Sequence, residues 1–100
     1  MSEATFLIDD GHPSLAGHFP GQPVVPGVVI LDEVIAAAAA AAPGMRIAGI
    51  REAKFRHPLP PGVRCLLAFT PARPGQLRFR GWHGDKTVVE GSLNLVPATA

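Results

Sequence analysis

Residues 17–44 read GHFPGQPVVPGVVILDEVIAAAAAAAPG and decide the fold, because they join a stiff loop to the only predicted helix. From Pro13 to Gly27 the chain is too rich in proline and glycine for a helix or a central strand, so we predict an ordered loop. Pro26 suits a first helical turn, residues 28–42 have helical composition, and Pro43-Gly44 ends the helix.

Outward from this stretch, apolar runs separated by turn residues predict strands. We place them at residues 4–8, 46–57, 63–70, 76–83 and 87–96. One long helix against one curved antiparallel sheet is an α+β layer architecture, formed here by a single domain over residues 1–100. A chain of 100 residues has a thin core of its own, yet 47% of its residues are apolar. The excess predicts an oligomer or a buried ligand.

The predicted helix carries two charges, Asp32 and Glu33, which lie about 100° apart around its axis. Asp32 falls on a strongly apolar face, so we expect it to be buried and Glu33 to reach water. A buried carboxylate takes up a proton or acquires a specific donor, and a protonated one is a general acid. A purely structural pairing of Asp32 with the loop or a neighbouring subunit is the alternative.

Charge is distributed unevenly along the chain. Residues 1–45 contain five acids and no Lys or Arg, whereas residues 46–100 hold all nine basic residues against three acids, a net charge of +6. A basic half can steer an acidic partner, but the same residues also fit solvated outward positions of strands. Aromatic residues are few and no basic cluster is dense, so nucleic acid is not an expected partner.

The remaining features of composition point to an intracellular chain. The first ten residues have no basic segment followed by an apolar run, so no signal peptide is expected. The alanine-rich uncharged stretch at residues 34–44 is too short to span a bilayer. Cys65 lies in an apolar run and is interpreted as a buried, inert thiol. We therefore expect a cytoplasmic location and no membrane association.

Residues 17–28 resemble the signature of the β-hydroxyacyl-(acyl-carrier-protein) dehydratases, G-H-F-P-G-x-P-x-x-P-G. In that family an acid follows the histidine by fourteen residues, and here His18 plus fourteen is Asp32. Residues 49–62 are similar to the family's second strand and turn, and residues 88–91 to its last strand. On these segments the chain is identified as a member of the FabA/FabZ-like hot-dog dehydratases.

The resemblance implies a hot-dog fold and a dimer whose two sheets join, with active sites at the dimer interface. It implies that His18 and Asp32 are the catalytic residues and that the two come from opposite subunits. The other residues it assigns surround the oxyanion or the substrate. They are Gly27, whose N–H points at the thioester carbonyl, Val24, whose carbonyl orients the imidazole, and Phe19 and Pro26.

The implied reaction removes water from a 3-hydroxyacyl thioester and leaves a trans-2-enoyl thioester, as in fatty acid or polyketide-type synthesis. Neutral imidazole suits abstraction of the α-proton, and no metal or redox cofactor is needed. His12 and His18 have no third ligand nearby, so we expect no metal. The expected substrate is carried by an acyl carrier protein or by coenzyme A, and the expected assembly is a homodimer.

Two features of the sequence leave alternatives open. Most members with this loop carry Glu where this chain has Asp32, and typical members have a further segment before the position of Thr5. One alternative is a non-catalytic or partner-dependent subunit that pairs with a longer dehydratase, and a less favoured one is an acyl thioesterase. Away from the loop, we interpret His57 and His83 as structural strand-end residues and Trp82 as a packing residue.

Overall fold

The computed structural model describes residues 2–9, 11 and 24–98, which form five strands and one helix. The elements, in chain order, are β1 (Ser2–Leu7), α1 (Gly27–Ala41), β2 (Met45–Phe55), β3 (Arg64–Pro71), β4 (Gln76–His83) and β5 (Lys86–Pro97). Each predicted strand and the helix are present, with ends within two residues of the prediction. Most of the predicted loop, residues 12–23, lies outside the described residues.

The five strands form one antiparallel sheet in the order β1-β3-β4-β5-β2. Two tight turns join β3 to β4 and β4 to β5, and Gly75 and Gly84 adopt positive φ angles in them (79° and 61°). Helix α1 contacts β1, β2 and β3. The predicted α+β architecture, one helix against one antiparallel sheet, is therefore confirmed.

The core lies between α1 and one face of the sheet. The strands and the helix contribute buried side chains to it at different regular spacings. Along β3 and β4 every second side chain is buried, which gives Cys65, Leu67, Phe69, Leu77 and Phe79. Along α1 the buried residues are four apart: Ile30, Val34 and Ala38. Apolar side chains from both elements thus fill one layer, and the opposite face of the sheet carries mostly polar side chains.

The face of α1 that carries Asp32 is exposed, and the prediction that Asp32 is buried is wrong for the single chain. Four of the exposed residues are again four apart, namely Val28, Asp32, Ala36 and Ala40, and Ala39 is exposed beside the last of them; Val28 is 67% exposed. The physical reason is that the sheet covers only the face carrying Ile30 and Val34. In a helix this rich in alanine, apolar periodicity alone does not indicate which face packs.

The pairing of β2 with β5 is irregular, with register shifts between Ile47 and Gly49 and between Ile50 and Glu52. Such bulges place an extra residue out of the regular alternation, here Ala48 at the first shift and Arg51 at the second. The backbone carbonyl of Glu52 then lies directly against Gly91 of β5, where a Cβ atom would overlap it and would also come within 2.9 Å of the Phe79 ring. A glycine is therefore required at position 91.

Two predictions about individual side chains are confirmed. Cys65 is fully buried, and burial raises the pKa of its thiol to about 11, so the reactive thiolate is scarce near neutral pH. Trp82 is partly buried on the outer face of β4, where the Arg80 guanidinium carbon lies 5.0 Å from the centroid of its ring. Both residues therefore act in packing.

Candidate active site

A pocket of about 330 Å³ opens at the N-terminus of α1. One wall is formed by the end of the loop and the first turn of the helix, and the other by the segment that leaves β2. The described lining residues are Val24, Val25, Gly27, Ile30, Phe55, Arg56, His57, Pro58 and Leu59. Most of these side chains are apolar, as is usual for a site that binds an organic substrate.

Backbone hydrogen bonds hold the two walls together. The buried Val25 donates its N–H to the carbonyl of the buried Leu59 at 2.9 Å, which ties the loop end to the β2–β3 connection. Pro26 follows with extended backbone (φ −60°, ψ 145°) as the N-cap of α1. Its carbonyl accepts hydrogen bonds from Val29 and Ile30 at 3.0 and 3.2 Å, so the position of the first helical turn is fixed relative to the pocket.

Gly27 is the first residue of α1, and its position makes its backbone N–H available to a ligand. An N–H in the first turn has no partner within the helix, and the helix dipole adds positive potential there. A Cβ atom at this position would lie 2.9 Å from Cζ of Phe55, so the absence of a side chain lets the Phe55 ring pack against the helix start. The arrangement favours binding of a carbonyl oxygen that gains negative charge.

The structure brings together only some of the residues that the sequence assigned to the site. Val24 and Gly27 line the pocket and Pro26 caps the helix beside it. Asp32 does not line this pocket; it lies on the exposed face of α1. His18 and Phe19 lie outside the described residues, so their assigned roles stay predictions.

Sequence reasoning missed the wall contributed by residues 55–59. After Phe55, the N–H of Arg56 donates to the carbonyl of Val88 at 2.8 Å, which extends the pairing of β2 with β5 by one residue. His57 then lies beside β5, with its Nδ1 2.9 Å from the Thr87 carbonyl oxygen. This segment is part of residues 49–62, which resemble a strand and turn of the dehydratase family, but the sequence does not indicate that His57 also lines a pocket.

A second groove, of about 380 Å³, lies on the sheet around the β3–β4 turn. Its described lining residues are Arg51, Thr70, Pro71, Ala72, Arg73, Gln76 and Arg78, none of them acidic. Arg51 reaches this groove from the second bulge of β2, although β5 lies between β2 and β4 in the sheet. Part of the positive charge noted in the sequence is thus concentrated in one place, which we call the arginine groove.

In the part of the chain that the structure describes, no group of three or more His, Cys, Asp or Glu side chains lies close enough together to hold a metal ion. No described helix is both long and apolar enough to cross a membrane.

Comparison with known proteins relates the chain to dehydratases. A family model, the ApeI-like family described as ApeI dehydratase, matches residues 2–92. A 3-hydroxyacyl-[acyl-carrier-protein] dehydratase FabZ of Chlamydia trachomatis is 37% identical over 99 residues, covering 84% of this chain and 64% of the relative. A FabZ of Klebsiella pneumoniae is 38% identical over 81 residues, covering 69% of this chain and 54% of the relative. The chain thus spans between half and two thirds of the length of these curated relatives.

Solved structures agree with the sequence relatives. The dehydratase heterocomplex ApeI:P from Xenorhabdus doucetiae superposes with a TM-score of 0.77 at 34% identity, covering 93% of this chain and 84% of that chain. A mutant of the fluoroacetyl-CoA-specific thioesterase FlK superposes with a TM-score of 0.69 at 15% identity, which shows a shared fold alone. The fold is that of the hot-dog dehydratases, as the sequence predicted.

Proposed function

The chain belongs to the ApeI-like dehydratase family, and we propose that it removes water from a 3-hydroxyacyl thioester to give a trans-2-enoyl thioester. The observation that carries the proposal is Gly27 at the start of α1, inside an apolar pocket and with its N–H free of any helical partner. The names of the FabZ relatives support an acyl-carrier-protein thioester as substrate.

The chemistry requires a base, an acid and a donor for the carbonyl oxygen. The α-proton of a thioester is weakly acidic, and its removal builds negative charge on the carbonyl oxygen. The Gly27 N–H stabilises that charge, with the positive end of α1 adding to its field; one such donor is typically worth about 3 kcal/mol in the transition state. The base takes the α-proton, the acid protonates the leaving hydroxyl, and the product is an enoyl thioester plus water.

We assign the base to His18 and the acid to Asp32. The exposure of Asp32 in the single chain supports an active site completed by a second chain, because an isolated carboxylate in water is poorly placed to act on a substrate in the Gly27 pocket. The apolar residues on either side of it, Val28 and Ala36, are exposed as well and suit burial against another subunit. His18 of one subunit and Asp32 of the other would then meet at the interface.

We propose a homodimer as the assembly. Strand β2 is an edge of the sheet, and its unpaired backbone groups are suited to joining two sheets into one. Ile50 and Phe55 on this strand are large apolar residues with 40% and 48% exposure. A heterodimer is the alternative, since the neighbour from Xenorhabdus doucetiae is a heterocomplex. We propose a cytoplasmic location.

The test of the proposed activity is the reverse reaction, hydration of a crotonyl thioester. We expect the wild-type chain to consume the enoyl absorbance of crotonyl thioesters of carrier protein and of coenzyme A without releasing thiol. Product analysis separates the alternatives. Free thiol and crotonate would identify a thioesterase, whereas no reaction with either substrate would identify a non-catalytic or partner-dependent subunit.

The arginine groove supports docking of an acidic carrier protein, because clustered positive charge speeds association with a negative partner. We expect Arg78→Glu to raise KM for crotonyl-carrier protein about tenfold and to leave KM for crotonyl-N-acetylcysteamine unchanged. Arg46→Glu makes the same charge change at an exposed position outside the groove and is the control. An equal rise of KM for crotonyl-carrier protein in the two variants would show that binding depends on the net charge of the chain and not on the arginine groove.

A further inference from the structure

We propose that His57 accepts, through Nε2, a hydrogen bond from an amide N–H in the arm that carries the thioester. The inference rests on the proposed function, because it concerns a substrate bound in the Gly27 pocket. It assigns to His57 a binding role for the amide-bearing arm, beyond the strand-end role that its sequence position indicates.

A backbone contact determines which ring nitrogen of His57 is a donor and which is an acceptor. Nδ1 of His57 lies 2.9 Å from the backbone carbonyl oxygen of Thr87. A carbonyl oxygen only accepts hydrogen bonds, so Nδ1 must carry a proton and donate it. In the neutral ring Nε2 then has a lone pair and no proton. Of the two neutral tautomers, the contact with Thr87 therefore selects the one in which Nε2 is an acceptor.

The His57 ring lies on the wall of the pocket that contains Gly27. His57 lines the same pocket as Gly27 and is exposed, so a ligand that reaches the Gly27 N–H passes beside it. Among the described lining residues, the only other polar side chain is Arg56, and its Nε is engaged with the Glu90 carboxylate at 3.2 Å. His57 is therefore the acceptor side chain available on this wall of the pocket.

The arm of the substrate supplies a matching donor. With its carbonyl oxygen at Gly27, a thioester places its sulfur and the first part of the carrier arm along the wall of the same pocket that His57 lines. In carrier-protein and coenzyme A thioesters this arm contains amides, whose N–H groups lose water as they enter an apolar cleft. An acceptor on the wall compensates for that loss, because a buried donor without a partner is costly.

The experiment compares two crotonyl thioesters with arms of equal length, one of N-acetylcysteamine, which has an amide, and one of pentanethiol, which has none. For His57→Ala we expect KM to rise about tenfold with the first substrate, kcat to change less than about twofold, and neither constant to change with the second. His83→Ala is the matched control. The Nδ1 of His83 also contacts a backbone carbonyl, that of Arg64 at 3.3 Å, but His83 does not line the pocket.

Two further variants test the roles of Nδ1 and Nε2 separately. His57→Asn keeps an N–H near the position of Nδ1 and loses the group at Nε2, so we expect it to resemble His57→Ala. His57→Gln places an amide oxygen near the position of Nε2, and we expect it to retain most of the wild-type KM. If instead His57→Asn kept the wild-type KM and His57→Gln raised it, the proposal would be overturned, because His57 would then act only through the hydrogen bond of Nδ1 to Thr87.

The outcomes also distinguish this inference from the proposed function. Turnover of the pentanethiol ester by the wild type would support the dehydratase activity whatever His57 does. An equal rise of KM for both substrates in His57→Ala would refute the amide contact while leaving that activity intact.

Discussion

Replacing His18 with Ala is expected to lower kcat for hydration of a crotonyl thioester about a thousandfold, because a positioned general base contributes roughly 10² to 10⁴ to the rate. Asp32→Ala is expected to cause a loss of similar size through removal of the acid. The measurement is the initial rate of enoyl absorbance loss, with the oligomeric state of each variant checked in parallel.

The matched control for Asp32 is the neighbouring acid of α1. Glu33→Ala removes the same charge one residue further round the helix and is expected to leave kcat within about twofold of the wild type. Equal losses of activity in Asp32→Ala and Glu33→Ala would contradict the assignment of the acid.

The largest effect on stability is expected from Gly91→Ala. The added Cβ would overlap the Glu52 carbonyl and press on the Phe79 ring, so the pairing of β2 with β5 must shift. We expect a loss of about 3 kcal/mol in the free energy of unfolding, which for a domain of this size lowers Tm by about 12 °C or more. Thermal unfolding followed by circular dichroism measures it.

Gly49→Ala is the control for this prediction. Gly49 also belongs to the β2–β5 pairing, but no atom lies within 4 Å of the position its Cβ would take. Its substitution should therefore change stability by less than about 0.5 kcal/mol. Similar Tm values for the two variants would mean that the sheet accommodates a side chain at position 91 and that the close approach of Glu52 is unimportant.

Local sequence signals were sufficient to predict the elements of the fold. Pro43-Gly44 ends the helix, and alternating burial along β3 and β4 follows directly from alternating apolar residues such as Leu67 and Phe79. The order of the strands in the sheet depends instead on contacts between residues that are far apart in the sequence. Alternation predicts an antiparallel sheet but does not indicate that β2 pairs with β5 at the far edge of that sheet, and the hot-dog fold was implied only by the resemblance of residues 17–28 and later segments.

The environment of individual site residues was harder to predict. Asp32 was expected to be buried because its helical neighbours are apolar, but the sheet covers the face of Ile30 and Val34 instead. His57 looked like a strand-end residue because nothing in its local sequence shows that β2 ends against the start of α1. In both cases the missing information is the relative rotation of two packed elements, which sequence periodicity does not contain.

The bulge in β2 was also not predicted. Residues 45–55 contain no proline and only one glycine, Gly49, and they read as a continuous strand. The register shift between Ile50 and Glu52 lies where the Glu52 carbonyl closely approaches Gly91 on the neighbouring strand, and this contact joins residues far apart in the sequence. Its consequence, placement of Arg51 in the arginine groove, therefore required the structure.

The most direct test of a site shared between two chains is to mix the inactive variants His18→Ala and Asp32→Ala under conditions where subunits exchange. If His18 of one subunit acts with Asp32 of the other, half of the randomly paired dimers have one intact site, and activity should recover to about a quarter of the wild type. A mixture that exchanges subunits and stays as inactive as either variant alone would contradict the account.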